Sequence, residues 1–293
     1  MSNLKDLTIV IPTFNRENFL LRTLRYWSGK EPKIIVLDSS LKSLCENFVK
    51  SLKENIIYHH LPNKSFQERL SYLRKITITR YCMLHPDDEF FLTYGLSKCI
   101  DEIEKSDIVC CIGRCLEFEI RNGQLFANPW KPLHTSFEGY HLLDDSPINR
   151  ISKHLHPYLC STVYAVTKRS VFLNNISCQL DDKVENLYFE IGYEICSAFQ
   201  GKSKVIESLS WLRSNENTSH YINDIESGKR KKEMFQIILE SESELEPKII
   251  KIAQHLNKIN NNYTSKILVE ILRSVLRSYA YHANFSIKTA NLF

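Results

Sequence analysis

The sequence predicts an α/β protein on a doubly wound, mainly parallel sheet, with a helical C-terminal extension. Three observations carry this expectation. Short apolar runs rich in β-branched residues alternate with helix-period segments from residue 7 to 112. Polar residues follow three of those runs immediately, and the chain beyond about residue 225 reads as helix. Strand and helix in alternation give parallel strands with helices on both faces.

LTIVIP at residues 7–12 is the first strand, apolar enough to be buried on both sides. After the polar turn TFNRE, Phe19, Leu20, Leu24 and Trp27 repeat at helical spacing. KIIVLDSS is a second buried strand ending in Asp38 and two serines. A helix is expected from about Leu41 to Lys53, and NIIYHHL is the third strand. Ser65 and Glu68 form an S-x-x-E capping box, which predicts a helix from there to about Thr79. Tyr81 to Leu84 is the fourth strand and runs straight into His85-Pro86-Asp87-Asp88-Glu89. Leu96, Ile100 and Ile103 mark another helix, and DIVCCIG a fifth strand.

The pattern then changes. CLEFEI and QLFA pair as a hairpin about an Asn122–Gly123 turn. Asp145, Ser146 and Pro147 start a helix with proline at its first position. LCSTVYAVT predicts a strand, Asn186–Gln200 a helix, and WLRSNENTS a strand end entering a polar loop. From about Ile225 the helical pattern is interrupted only near Pro247 and Asn260–Asn262. The expected organisation is one domain over residues 1–222, in halves 1–112 and 113–222, and a helical extension over 223–293.

A chain of 293 residues suffices for one large core. With 43% apolar and 25% charged residues it reads as an ordinary globular protein. The net charge of +4 points to no particular anionic partner. No nucleic-acid partner is expected: the only basic run, Lys229-Arg230-Lys231-Lys232, reads as a solvated helix start. Met1 to Asp6 is polar, and Pro12 and Asn15 break the apolar stretch after it, so no secretory signal is expected. No window approaches the roughly 18 apolar residues of a membrane span. A cytoplasmic location fits both points. The nine cysteines include no CxxC pair. Cys82, Cys99, Cys110, Cys111 and Cys196 stand in apolar surroundings, as reduced, buried thiols do. Cys110, Cys111 and Cys115 are read as buried filler rather than a zinc site, since strand alternation puts neighbours on opposite faces.

In an open parallel sheet the ligand crevice lies beyond the carboxyl ends of the strands. Three such ends carry polar groups: Pro12-Thr13-Phe14-Asn15-Arg16, Asp38-Ser39-Ser40, and His85-Pro86-Asp87-Asp88-Glu89. Adjacent acids repel one another unless a cation compensates. Mg²⁺ or Mn²⁺ held by one or two carboxylates, substrate phosphates and water is the usual answer. Asp87 and Asp88 capping the next helix is the plainer reading. Convergence with the other two strand ends outweighs it.

TIVIPTFNRENFLLRTLRYW, KIIVLDSS and YCMLHPDDEFF, in that order, resemble the N-terminal half of family-2-like inverting glycosyltransferases of the GT-A fold. The resemblance covers residues 7–112 well and 155–215 loosely. It implies transfer of a sugar from a nucleotide-diphosphate sugar, UDP-sugar favoured, to a hydroxyl of a saccharide or lipid-linked saccharide, with Mn²⁺ or Mg²⁺ as cofactor. Bacterial surface polysaccharide or glycoconjugate synthesis is the implied setting. Residues 1–112 then form the nucleotide-sugar half and 113–222 the acceptor half. By the same resemblance Pro12, Thr13, Asn15 and Arg16 cradle the nucleotide, Asp38 meets the base, and Arg69 can reach the nucleotide. Asp87 and Asp88 belong to a DxD-type motif. Glu89, with Asp87 and His220, is expected at the metal, and Arg213 at the diphosphate. His85 stands where a first Asp is common, and Glu89 replaces a final Asp, so a His85-x-Asp87 register stays open. Glu190, in an aromatic-x-Glu pattern before Gly201–Lys202, is the preferred general base, ahead of Glu185, Glu194 and Asp182.

A nucleotidyltransferase or a Rossmann dehydrogenase needs a glycine-rich loop after the first strand. PTFNRE has no glycine. An inactive protein that keeps the fold and binds a nucleotide sugar is the remaining alternative. In SKILVEILRSVLRSYAYHA, Ile267, Leu268, Ile271, Leu272, Val275, Leu276 and Tyr279 form an apolar side expected to pack on the domain. A homodimer contact or peripheral attachment to an anionic membrane are its other uses.

Overall fold

The computed structural model describes residues 4–130, 137–156, 159, 161–178, 186–216 and 242–290. Among the described residues the sheet has ten strands. The first four, β1 (Leu7–Thr13), β2 (Lys33–Asp38), β3 (Ile56–His60) and β4 (Tyr81–Leu84), are separated by α1 (Glu17–Trp27), α2 (Glu46–Ser51) and α3 (Phe66–Tyr72). Next come β5 (Phe90–Phe91), α4 (Thr93–Lys105), β6 (Cys110–Arg121), β7 (Gln124–Pro129), β8 (His141–Leu142) and α5 (Pro147–His154). β9 (Val166–Lys168), α6 (Arg169–Ser177), α7 (Asn186–Gln200), β10 (Ser203–Ser214), α8 (Glu242–Ile259) and α9 (Ser265–Ala290) complete the elements of the described residues.

The strand order is β3-β2-β1-β4-β9-β6-β10-β5, with β7 on β6 and β8 on β10. β1 runs parallel to β2 and β4, β2 to β3, and β6 to β10, whereas β9 is antiparallel to both β4 and β6. Alternation along β1 splits the core between the two faces of the sheet. Ile9 and Ile11 join Trp27, Met83 and Trp211 in one cluster, and Val10 joins Ile35, Leu84, Phe172 and Tyr193 in another. A third cluster combines Ile195 and Phe199 of α7 with Leu256 of α8 and Leu268, Leu272 and Leu276 of α9. The apolar stripe of α9 is therefore spent on packing, with Ile267 left half exposed. Among the described residues no helix is long and apolar enough to cross a membrane.

Several boundaries differ from the sequence reading, each for a physical reason. The helix expected from Leu41 forms only over Glu46–Ser51, a short segment that meets the core only through the half-buried Phe48 and Val49. Ser65 and Glu68 make both halves of their capping box, but α3 tightens into a 3₁₀ turn at Leu73–Lys75 instead of reaching Thr79. The fifth strand and the first arm of the hairpin are one continuous strand, β6, turning at Asn122 and Gly123, both with positive φ. Gly113 lets β10 bulge against β6; a Cβ there would lie 2.0 Å from Ser208 O. LCSTVYAVT yields strand only from Val166. Helix α6 was not legible because Asn174 and Asn175 and β-branched residues weaken its helical signal. Pro247 sits inside α8 without ending it.

Candidate functional site

Sheet register puts the three polar strand ends on one rim. Thr13 pairs with Asp38 and Val10 with Leu84, and His85 N–H donates to Val10 O at 2.9 Å. Asn15 holds φ 54, a left-handed conformation asparagine tolerates, and its N–H donates to Ser40 Oγ at 2.8 Å. That bond ties the loop after β1 to the loop after β2.

Asp87 is central to the rim. Its Oδ2 accepts from Thr13 Oγ1 at 2.6 Å, and its Oδ1 pairs with Arg16 Nη1 at 2.8 Å. Arg16 Nη2 reaches Asp88 Oδ2 at 2.6 Å, so one guanidinium compensates two neighbouring acids. Burial pushes Asp87 up to about 6, with Arg16 and Thr13 pulling the other way. Thr23 Oγ1 donates to Asp87 O at 2.7 Å and Arg22 Nη2 to Asp88 O at 2.8 Å, fixing the backbone that aims both carboxylates.

Glu89 is turned elsewhere. Its Oε2 accepts from Trp211 Nε1 at 2.5 Å, and Trp211 stacks on Phe91. Burial pushes the Glu89 carboxyl up to about 8. Glu89, expected at a metal, is buried with its carboxylate on Trp211 in the aromatic core, while Asp87 lines the crevice. His85 is also committed. Its Nε2 accepts from Trp27 Nε1 at 3.1 Å, and its Nδ1 lies 2.5 Å from Pro86 O. Burial lowers its pKa to about 4, so the ring is neutral and Nδ1–H donates to the carbonyl.

A cavity of about 830 Å³ opens at this rim, lined on the strand-end side by Pro12, Thr13, Phe14, Arg16, Arg69 and Asp87. A smaller one of about 340 Å³ adjoins it through Thr13 and is lined by Asn15, Asp38 and Ser40. Asp38 is fixed by Tyr58 Oη, which donates to Oδ2 at 2.6 Å, and by Ser40 N–H, which donates to Oδ1 at 2.8 Å. Arg69 is buried and donates through Nη1 to Thr13 O at 2.6 Å and Leu37 O at 3.1 Å, so it props the ends of β1 and β2 from below. Asp88 lines neither cavity, but pairs with Arg16, which lines the larger one. Arg213 lies apart, 3.7 Å from Glu117 and over the Trp130 ring. His220, Glu185 and Asp182 fall outside the described residues.

The far wall comes from the second half of the chain. Glu190, half-buried on α7, lines the same cavity as Asp87, beside Phe189, whose ring meets Phe66 edge-on at 4.9 Å. One turn on, Glu194 is wholly buried. It accepts from Thr162 N–H at 2.9 Å, Val163 N–H at 3.1 Å, His154 Nε2 at 2.6 Å and the Thr162 hydroxyl. It thereby clamps the 161–165 loop, whose Val163 and Tyr164 line the cavity. Four-residue spacing places both acids on one helix face and could not separate them. Tyr58, Thr23 and Trp211 escaped the sequence reading altogether, since each acts through a partner distant in the chain.

The sequence model of glycosyl transferase family 2 matches residues 8–172. No curated protein matches the chain. Among solved structures, TarS 1-349 of S. aureus superimposes with a TM-score of 0.53 at 12% identity, over 94% of this chain and 91% of that one. The same TarS fragment in complex with UDP-GlcNAc gives 0.50 at 12% identity, over 94% and 92%. A longer TarS chain gives 0.51 at 13% identity, and the present chain spans 54% of its length. At such identities the likeness is one of fold, and the fold is GT-A.

Proposed function

The chain belongs to glycosyl transferase family 2, and from that premise we propose that it transfers a sugar, with inversion, from a UDP-sugar to a hydroxyl of a saccharide or lipid-linked saccharide, in surface polysaccharide or glycoconjugate synthesis. The observation that carries this reading is the shared cavity, which has Thr13, Arg16 and Asp87 on one wall and Glu190 on the other. The nucleoside would lie toward Asp38 in the adjoining cavity, and the diphosphate toward Asp87. UDP-GlcNAc bound to the like-folded TarS supports a uridine nucleotide.

The residues present fit a divalent cation, Mn²⁺ or Mg²⁺. Asp87 carries two carboxylate oxygens, each with a lone pair beyond the one given to Thr13 or Arg16. Hard oxygen ligands at one or two positions suit these ions. A bound cation would supply charge neutralisation at the leaving diphosphate. Arg16 already holds positive charge between Asp87 and Asp88 and is placed to meet the phosphates. Glu190 takes the proton of the acceptor hydroxyl as its oxygen bonds to the anomeric carbon. The bond from that carbon to the phosphate oxygen breaks, and its electron pair leaves with the nucleoside diphosphate.

A thermal-shift series of UDP-, GDP-, CMP- and TDP-sugars, with and without Mn²⁺, tests the reading. A UDP-sugar is expected to raise Tm by mass action, more with Mn²⁺, and the gain should vanish in Asp87→Asn. No shift with any nucleotide sugar would overturn it. The alternative of an inactive binding protein, favoured by the buried, doubly bonded His85, predicts the same shift without hydrolysis or transfer.

A further inference from the structure

A second cluster lies where α6, α7 and α8 meet. The Sγ atoms of Cys178 and Cys196 and a ring nitrogen of His255 all lie within 4.8 Å of one another. The three come from different elements: the C-terminal cap of α6, the middle of α7, and α8 of the extension. We propose that Cys178, Cys196 and His255 form a zinc site that staples the C-terminal helices to the helix bearing Glu190.

The donor set selects the ion. Two thiolates and an imidazole are soft and borderline ligands, matched to Zn²⁺ and mismatched to Mg²⁺ or Mn²⁺. Zinc–sulfur bonds of about 2.3 Å in a tetrahedron set the sulfurs roughly 3.8 Å apart, so the ligand atoms need close by no more than about an ångström. The surrounding contacts also fit. His255 Nε2 lies 2.9 Å from Asn174 O, and with its proton directed there the ring keeps its lone pair on Nδ1, the arrangement typical of metal-bound histidine. Gln200 Nε2 donates to Cys196 Sγ at 3.4 Å, a bond that favours a thiolate. The half-buried His255 leaves a side from which water can fill a fourth position.

Neighbouring chemistry gives two rivals. Cys178 and Cys196 are close enough to consider a disulfide, and both are buried enough to be inert packing. Thiol ligands bind as thiolates, so cation uptake is expected to release protons.

The test uses the full chain, reduced and titrated with Co²⁺. Thiolate-to-cobalt charge-transfer absorption is expected, saturating at about one equivalent. It should disappear in Cys196→Ser and Cys178→Ser and persist in Asp87→Asn, since an oxygen site gives no such band. Zn²⁺ should raise the Tm of the wild type and abolish the cobalt band. Absence of the band in the wild type is decisive without any variant, and the two serine variants, each checked for folding by its thermal midpoint, assign a band that does appear. A reduced, folded wild type without the band overturns the proposal. Thiol counting in denaturant then identifies the rival: two thiols missing before reduction mean a disulfide, and none missing means packed thiols. Because the readout is independent of sugar transfer, its failure leaves the proposed activity untouched.

Discussion

The two walls of the cavity are held by different means. On the strand-end wall, Thr13, Asp38 and Asp87 leave neighbouring strands whose ladders already fix their spacing, and Arg16 spans Asp87 and Asp88. On the far wall, Glu190 rides on a helix, and the 161–165 loop beside it hangs on one carboxylate, Glu194. The first wall spreads its support over backbone hydrogen bonds, which single substitutions scarcely touch. The second concentrates support in one side chain. Substitutions on the strand-end wall should therefore touch chemistry with little cost to its backbone, whereas on the far wall chemistry and architecture fall on two residues of one helix, Glu190 and Glu194.

Glu190→Gln offers the largest effect. Removing a positioned general base is expected to lower transfer by about 10²–10⁴-fold. UDP binding by calorimetry and the thermal midpoint should stay as in the wild type. A variant that transfers at the normal rate removes Glu190 from the reaction and leaves the far wall with architecture alone.

One turn along the same helix, Glu194→Ala tests the opposite expectation. It strands Thr162 N–H, Val163 N–H and His154 in a buried site, so stability should fall by about 3 kcal/mol in urea titration. Transfer should fall through a displaced Val163–Tyr164 loop, with KM affected more than for Glu190→Gln. Unchanged stability would mean the clamp is not what holds the loop.

The acids of the strand-end wall give a sharper contrast still. Glu89 has a folded pKa raised to about 8, from an ordinary 4.5, by burial. A raised carboxyl stabilises the fold while protonated, and that contribution is lost as pH climbs from about 4.5 through about 8. Glu89→Gln keeps an acceptor for Trp211 and carries no charge. Its advantage over the wild type should widen between pH 4 and pH 9 by at least about 1.4 kcal/mol, the worth of one unit of offset. It should also transfer sugar normally, whereas Asp87→Asn should not. Loss of transfer in Glu89→Gln would return Glu89 to the metal.

Which parts were legible follows the same division. The strand-end wall could be read because each contributing motif is contiguous and follows an apolar run: the convergence of Thr13, Asp38 and Asp87 needed only the βαβ rule. Ser65 and Glu68 announced the start of α3 for the same local reason. What escaped depends on distant partners. Nothing local distinguishes Asp87 from Glu89 in a row of three acids; the choice is made by Trp211, 122 residues further on. Glu190 and Glu194 differ only because His154 and Thr162 lie under one and the cavity under the other. The Cys178, Cys196 and His255 cluster spans three elements, and its spacing matches no short motif.

Tyr58→Phe is the smallest perturbation and the most selective. The hydroxyl donates to Asp38 Oδ2 at 2.6 Å and accepts from Leu44 N–H at 3.0 Å. Burial and the Asp38 charge raise its pKa, so it remains a donor throughout the working range. Its loss should cost about 1 kcal/mol, or roughly fivefold in UDP affinity if Asp38 meets the base. Because Ser40 N–H still holds Oδ1, Asp38 should swing rather than leave, and kcat at saturating donor should be unchanged. The pairing of weaker binding with intact kcat would mark Asp38 as a nucleotide contact. A change in stability of the same size without any change in UDP affinity would instead confine Tyr58 and Asp38 to holding the 39–44 loop.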